Sequence, residues 1–306
     1  MIFKDKLAYI VKNETRNNTN TKKYNLLDGD FIFEATFKPD LSNPQNEFCV
    51  LGRTGYNMGI FLHGDKSIKW SWWKIENDFV VYDDLYFGSK DVNDVNENHA
   101  RWWKEYIIKN TPVEMSDVAV NGLVRRWGFH DESQPITDPT GHNGGWLDVN
   151  YTIDGIPNET LREWVRKHDS HRVKTLSLLP EIIKVKVVKK DNQFHLYVGD
   201  IFYLSKEIGA LYDYSQQMIT VGVGNPYSTE WDPLWYDGEI YDVKIYHSSE
   251  EKKENLYLWF DFERNSHFKT FDKSGNGNHG EIFYSQEFID MKNEEFNKVA
   301  RPAKII

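Results

Sequence analysis

The chain has 306 residues, of which 40% are hydrophobic, 15% aromatic and 27% charged, and its formal net charge is -10 at neutral pH. That charge argues against a nucleic-acid backbone or an anionic membrane as partner and leaves neutral ligands open. One cysteine, Cys49, excludes an intrachain disulfide, and its setting in Phe48-Cys-Val-Leu51 predicts a core residue. No apolar run reaches 18 residues, and Met1-Ile-Phe-Lys-Asp-Lys-Leu7 lacks the features of a secretory signal, so a soluble, unsecreted chain or a module of a longer one is expected.

In chain order, the Asn/Thr-rich segment 13–23 reads as a loop. Asp30-Phe-Ile-Phe-Glu-Ala-Thr-Phe37 then sets Phe31, Phe33, Ala35 and Phe37 against Ile32, Glu34 and Thr36, the alternation of a half-buried strand. Strands are predicted over 48–51 and 58–63, and over 67–74, where Trp70 and Trp72 share one face and Trp73 takes the other. The rhythm returns at 182–189, passes a turn at Lys190-Asp-Asn192, and continues at 193–198, 201–204 and 218–223. Short strands at this spacing predict a β-sandwich or barrel.

Between these two blocks the pattern changes. Ala100, Trp103, Tyr106 and Ile107 recur at helical spacing, as do Leu161, Trp164, Val165 and His168, the latter after a candidate N-cap at Asn158. The predicted organisation is a first sandwich part at 1–91, a helical and irregular insertion at 92–180 forming a cap, and a second sandwich part at 181–306.

The loop Asp272-Lys-Ser-Gly-Asn-Gly-Asn-His-Gly280 concentrates carboxylate, amide and glycine, so it can turn tightly and aim oxygens at one point. That chemistry suits a hard cation, most plausibly calcium, or a tight Asn-Gly turn held by its own hydrogen bonds. With Leu256-Tyr-Leu-Trp-Phe-Asp-Phe-Glu263 and Gly238-Glu-Ile-Tyr-Asp-Val-Lys-Ile-Tyr246, the loop resembles the LamG-like branch of the concanavalin A-like lectin/glucanase superfamily, where "YYDFE", "DxSGNGNHG" and "GxIDDVRIY" recur. The hairpin "VKKDNQFHLYVGDIF" is similar to the family's "VTYDGTTLRLYVDGK", and the likeness spans roughly residues 24 to 90 and 181 to 284.

The resemblance implies an all-β, concanavalin A-like jelly-roll β-sandwich with a carbohydrate connection. The family's opening piece stands last here, so the expected fold is circularly permuted; the rival reading makes 256–306 the start of a second, truncated copy. Matched to the family's motifs, Asp272, Asn276, Asn278 and Asp242 would hold a structural calcium ion.

Sugars present apolar C–H faces that stack on rings and hydroxyls that need polar partners, so a pocket requires both side-chain types. Trp231, Asp232, Trp235 and Tyr236, beside Glu230 and Asp237, together with Trp127 and Trp146 of the insertion, are the leading ligand-binding candidates; Trp70, Trp72 and Tyr56 come next, and each tryptophan has core packing as its alternative. The leading expectation is a noncatalytic carbohydrate-binding module stabilised by calcium. An enzyme acting on a glycan would centre on Arg125, Arg126, His130, Asp131, Glu132 and His142, and the i, i+3 pair His168 and His171 is compatible with zinc. No "ExDxE" strand of the laminarinase type occurs to supply two carboxylates across a glycosidic bond. A structural module of a larger surface or phage-like protein is the third reading.

Overall fold

In the computed structural model the described residues are 2–3, 7–11, 29–40, 47–53, 58–63, 68–87, 98, 101–102, 105–106, 109, 152–153, 156–157, 182–212, 218–225, 234–262 and 269–284. Their strands are Ile2–Phe3 (β1), Leu7–Val11 (β2), Phe31–Pro39 (β3), Glu47–Arg53 (β4), Met58–His63 (β5), Ile68–Glu76 (β6), Phe79–Phe87 (β7), Thr152–Ile153 (β8) and Ile156–Pro157 (β9). They continue as Ile183–Lys190 (β10), Gln193–Val198 (β11), Ile201–Glu207 (β12), Ala210–Leu211 (β13), Ile219–Val221 (β14), Gly238–Tyr246 (β15), Leu256–Phe260 (β16), Lys269–Thr270 (β17) and Gly280–Tyr284 (β18).

Apart from the small β8–β9 pair, the strands form two antiparallel sheets of an all-β sandwich. The first runs β1-β15-β3-β10-β11-β12 with β16 also on β15, and the second runs β13-β6-β5-β4-β14-β2-β18-β17 with β7 also on β6. Alternation dictates the layering. Phe31, Phe33, Ala35 and Phe37 of β3 face the core with Val185, Val187, Phe194 and Leu196, and meet Ile60, Leu62, Trp70 and Trp72 of the second sheet. Phe194 packs edge-on against both Trp70 and Trp72, with ring centres 5.3 and 4.8 Å apart. Cys49 is fully buried, as its sequence setting predicts.

Hairpins are set by two-residue turns with positive φ at both central positions: Asn77 and Asp78, Asp191 and Asn192, Gly199 and Asp200. Asn, Asp and Gly tolerate that conformation, and its twist matches the flanking strands. The last strands belong to the same two sheets: β16 pairs with β15, and β18 with β2.

Of the segment 92–180, the described residues Asn98, Arg101, Trp102, Glu105, Tyr106 and Lys109 are helical. Trp102 and Tyr106, one turn apart, stack at 5.0 Å and are buried, so Trp102 leads the buried face; Ala100, Trp103 and Ile107 lie outside the described residues. Trp102 closes the gap between β7 and β12 against Phe87 and Tyr203, and its indole N–H donates to the Val198 carbonyl at 2.9 Å. The predicted helix around 158–168 lies outside the described residues, and among the described residues no helix is long and apolar enough to cross a membrane.

Candidate functional site

The three motifs do converge, and they converge on Trp259. Asp242 of β15 accepts the Trp259 indole N–H at 2.7 Å, while Asp272 accepts its main-chain N–H at 2.9 Å. Asp272 is 9% exposed, and its carboxylate takes three further donors: the Ser274 N–H at 2.9 Å, the Ser274 hydroxyl at 2.7 Å and the Asn278 N–H at 2.9 Å. Its own N–H donates to Nδ1 of His279. Asn276 and Asn278 turn their amide N–H groups onto the Tyr257 carbonyl, the longer alternative acceptor for the single Ser274 hydroxyl hydrogen; Asn276 additionally reaches the Leu256 carbonyl at 2.7 Å. Lys273 N–H donates to the Trp259 carbonyl at 2.8 Å.

Apart from the Asp242 contact, which comes from β15 itself, the bonds that reach β16 take up its main-chain N–H and C=O groups, so the loop covers groups that would otherwise be left unpaired. The donor set does not fit the cation expected from the motifs. Four donors already fill the Asp272 carboxylate, the second oxygen of Asp242 takes the Lys244 ammonium at 2.6 Å, and the two asparagines present hydrogens rather than oxygens to their partners. Among the described residues no group of three or more His, Cys, Asp or Glu is placed to hold a metal.

The predicted aromatic platform is revised too. Trp70 and Trp72 are fully buried, and Tyr236 is 1% exposed with its ring edge-on to Phe37 at 5.9 Å. Burial and the neighbouring Asp237, Glu239, Tyr241 and Asp40 push the Tyr236 phenol far up, so it stays protonated. Trp235 is 7% exposed and packs with Ala8 and Val223. None of these rings offers a face to a ligand. The signal was present for Trp70 and Trp72, because a face shared with a core strand is a buried face; Trp235 and Tyr236 carried no such periodicity. Tyr56, Trp127, Trp146, Trp231, Asp232, Glu230, Arg125, Arg126, His130, Asp131, Glu132, His142, His168 and His171 lie outside the described residues.

One accessible ring, not among the candidates expected from sequence, lies on the opposite face of the second sheet. Tyr82 of β7 is 45% exposed and stands directly across from Trp73 of β6, the tryptophan of opposite parity to Trp70 and Trp72. Trp73 is half-buried, with Tyr212 edge-on at 5.9 Å. The Lys69 ammonium lies 5.4 Å from the centre of the Tyr82 ring and 5.1 Å from that of Phe61.

Beside them, the cross-strand row Thr220, Gly52, Gly59, Ser71 and Asp84 carries only small or polar side chains. A Cβ built at Gly59 would sit 2.8 Å from both the Gly52 Cα and the Leu51 carbonyl, so glycine is required there, and the row is buried from Thr220 to Ser71. Lys69, Ser71 and Thr220 are themselves buried, so the open part of this face is the Tyr82 ring with the half-buried Trp73 and Asp84.

On the inward side of the same hairpin, Asp83 joins Lys206 and Lys74, the latter at 3.1 Å. Burial alone would raise the Asp83 carboxyl, but the lysine hydrogen bonds and the Asp84 N–H outweigh it and hold the group below its ordinary value. This ion-paired cluster fixes the base of the hairpin whose tip carries Ile75, Phe79 and Val80 in the open.

No protein-family model matches the chain, and no curated protein matches it. Among solved structures it is similar to a Bacteroides ovatus protein to which carbohydrate binding is provisionally attributed, at 10% identity and TM-score 0.44, over 93% of this chain and 59% of that one. It is also similar to the CBM40 domain of the Ruminococcus gnavus IT-sialidase at 8% identity and TM-score 0.39, over 83% and 93% of the two chains. The Streptococcus pneumoniae NanB sialidase follows at 11% identity and TM-score 0.38, over 87% and 29%. The chain thus spans 59% of the length of the first of these, and likenesses so distant assign neither family nor ligand.

Proposed function

We propose that the chain is a noncatalytic carbohydrate-binding β-sandwich, with its ligand surface on the outward face of β6 and β7. The observation that supports the reading is the Tyr82 ring, 45% exposed, beside the half-buried Trp73 and Asp84, with the buried Lys69 ammonium beneath it. A pyranose lays its C–H face on such a ring and its hydroxyls against the adjacent charged and polar groups. The motif resemblance to LamG-like domains points to the same ligand class.

A glycan-array screen of the parent chain, repeated with Tyr82→Ala and Trp73→Ala and with and without calcium, tests the proposal. Binding by the parent that is lost in Tyr82→Ala supports it. Binding retained at full strength in both variants moves the site away from this face, and no binding to any glycan removes the function.

A further inference from the structure

We propose that Asn276-Gly277 is a self-modification site, a deamidation step gated by the attachment of the Asp272 loop to β16. Asn276 is exposed and is followed by a glycine at φ +77°, with open space where a Cβ would be. An Asn-Gly step in an exposed loop is the least hindered setting for attack of a main-chain nitrogen on the preceding side-chain amide, because no Cβ shields the nucleophile.

The Gly277 nitrogen bonds to Cγ of Asn276, the Cγ–Nδ2 bond breaks, and Nδ2 leaves as ammonia with the proton that the Gly277 nitrogen has lost. Water then opens the five-membered imide at either carbonyl, giving aspartate or isoaspartate.

The folded loop holds that amide away from the reaction. Nδ2 of Asn276 donates to the Leu256 carbonyl at 2.7 Å, to the Tyr257 carbonyl at 3.1 Å and to Oγ of Ser274 at 3.1 Å. Attack requires the side chain to rotate out of all three contacts, so the reaction reports opening of the loop. Its product cannot re-close in the same way. A carboxylate at position 276 would face two carbonyl oxygens and a hydroxyl oxygen that already serve as acceptors, close to the Asp272 carboxylate. Each conversion therefore leaves the β16 edge less well covered, and an uncovered edge is open to pairing with another chain.

The test is peptide mapping by mass spectrometry of the full chain held at mildly alkaline pH, in buffer and in denaturant, alongside Ser274→Ala in buffer. Conversion at Asn276 is expected to be slowest in the native parent, fastest in denaturant, and at least about fivefold faster in Ser274→Ala than in the parent, because the lost hydroxyl serves Asn276, Asp272 and Tyr257 and one hydrogen bond alone accounts for a factor of that size. Asn276→Asp is expected to melt below the parent. A native parent converting as fast as the denatured chain overturns the gating even if Ser274→Ala fails to fold. Asn276→Asp melting with the parent overturns the ratchet.

Discussion

The covered edge of β16 and the open hairpin of β6 and β7 are both built from strand residues rich in aromatics, yet they hold their polar groups in opposite ways. At β16 every donor and acceptor named above is spent within the chain: Trp259 is pinned at both its nitrogens, and the Tyr257 carbonyl accepts both asparagine amides. At the hairpin, Tyr82 is 45% and Phe79 73% exposed, and among the described residues β7 pairs with β6 alone. A region whose hydrogen bonds close on themselves contributes to stability; one that leaves rings and charges facing water has capacity for a ligand. In this structure the motif fastens the edge of β16, and the proposed ligand surface lies on a strand that no motif marked.

Substitutions can break this comparison in order of expected effect. Trp72→Ala removes a fully buried ring packed on Phe194, and chemical unfolding should register a loss of about 3 to 5 kcal/mol. A loss below 1 kcal/mol would contradict its place in the core. Asp272→Ala strands three donors of the loop and the Trp259 N–H of β16 and should cost about 3 kcal/mol by the same measurement, with Asp272→Asn intermediate because one acceptor oxygen remains.

Tyr82→Ala should cost folding no more than about 1 kcal/mol, the size of its ring contact with the Lys69 ammonium. It should nonetheless weaken glycan binding by about 1 to 3 kcal/mol in calorimetric titration, by analogy with bases stacked on aromatic platforms. The reverse pattern would make Tyr82 a packing residue.

Asp83→Asn sharpens the role of the hairpin base. The folded-state pKa of Asp83 is depressed, so its contribution is present above the unfolded pKa and is lost as pH falls through the folded one. Asp83→Asn should destabilise the chain at neutral pH and converge on the parent in acid. A difference unchanged across that range would show that the ion pairs are not its source.

The smallest effect expected is that of calcium. An ion bound only to the folded state would add about 2.7 kcal/mol at a hundredfold excess over Kd, whereas the closed hydrogen-bond set at Asp272 predicts coincident melting curves in chelator and in millimolar calcium. A clear upward shift that disappears in Asp272→Asn would restore the cation site.

Much of the architecture was legible in local patterns. Period-two alternation in 30–37, 67–74 and 182–189 marked the core-facing residues, and the Asp-Asn turn at 191–192 marked a hairpin, because strand parity and turn conformation depend on residues next to one another in the chain. The same parity already placed Trp73 opposite Trp70 and Trp72.

What the chain could not declare on its own is where its polar groups find partners. Asp242 and Asp272 were drawn together as ligands for an ion, and only the folded sheets put Trp259 between them, 17 and 13 positions away in sequence. Trp235 and Tyr236 sit in a segment with no repeating pattern, so their burial against Ala8, Val223 and Phe37 became visible only once distant strands were paired. The physical reason is the same in each case: alternation is read from neighbours in sequence, whereas a hydrogen bond or a packed ring is won by whichever partner the tertiary structure brings closest.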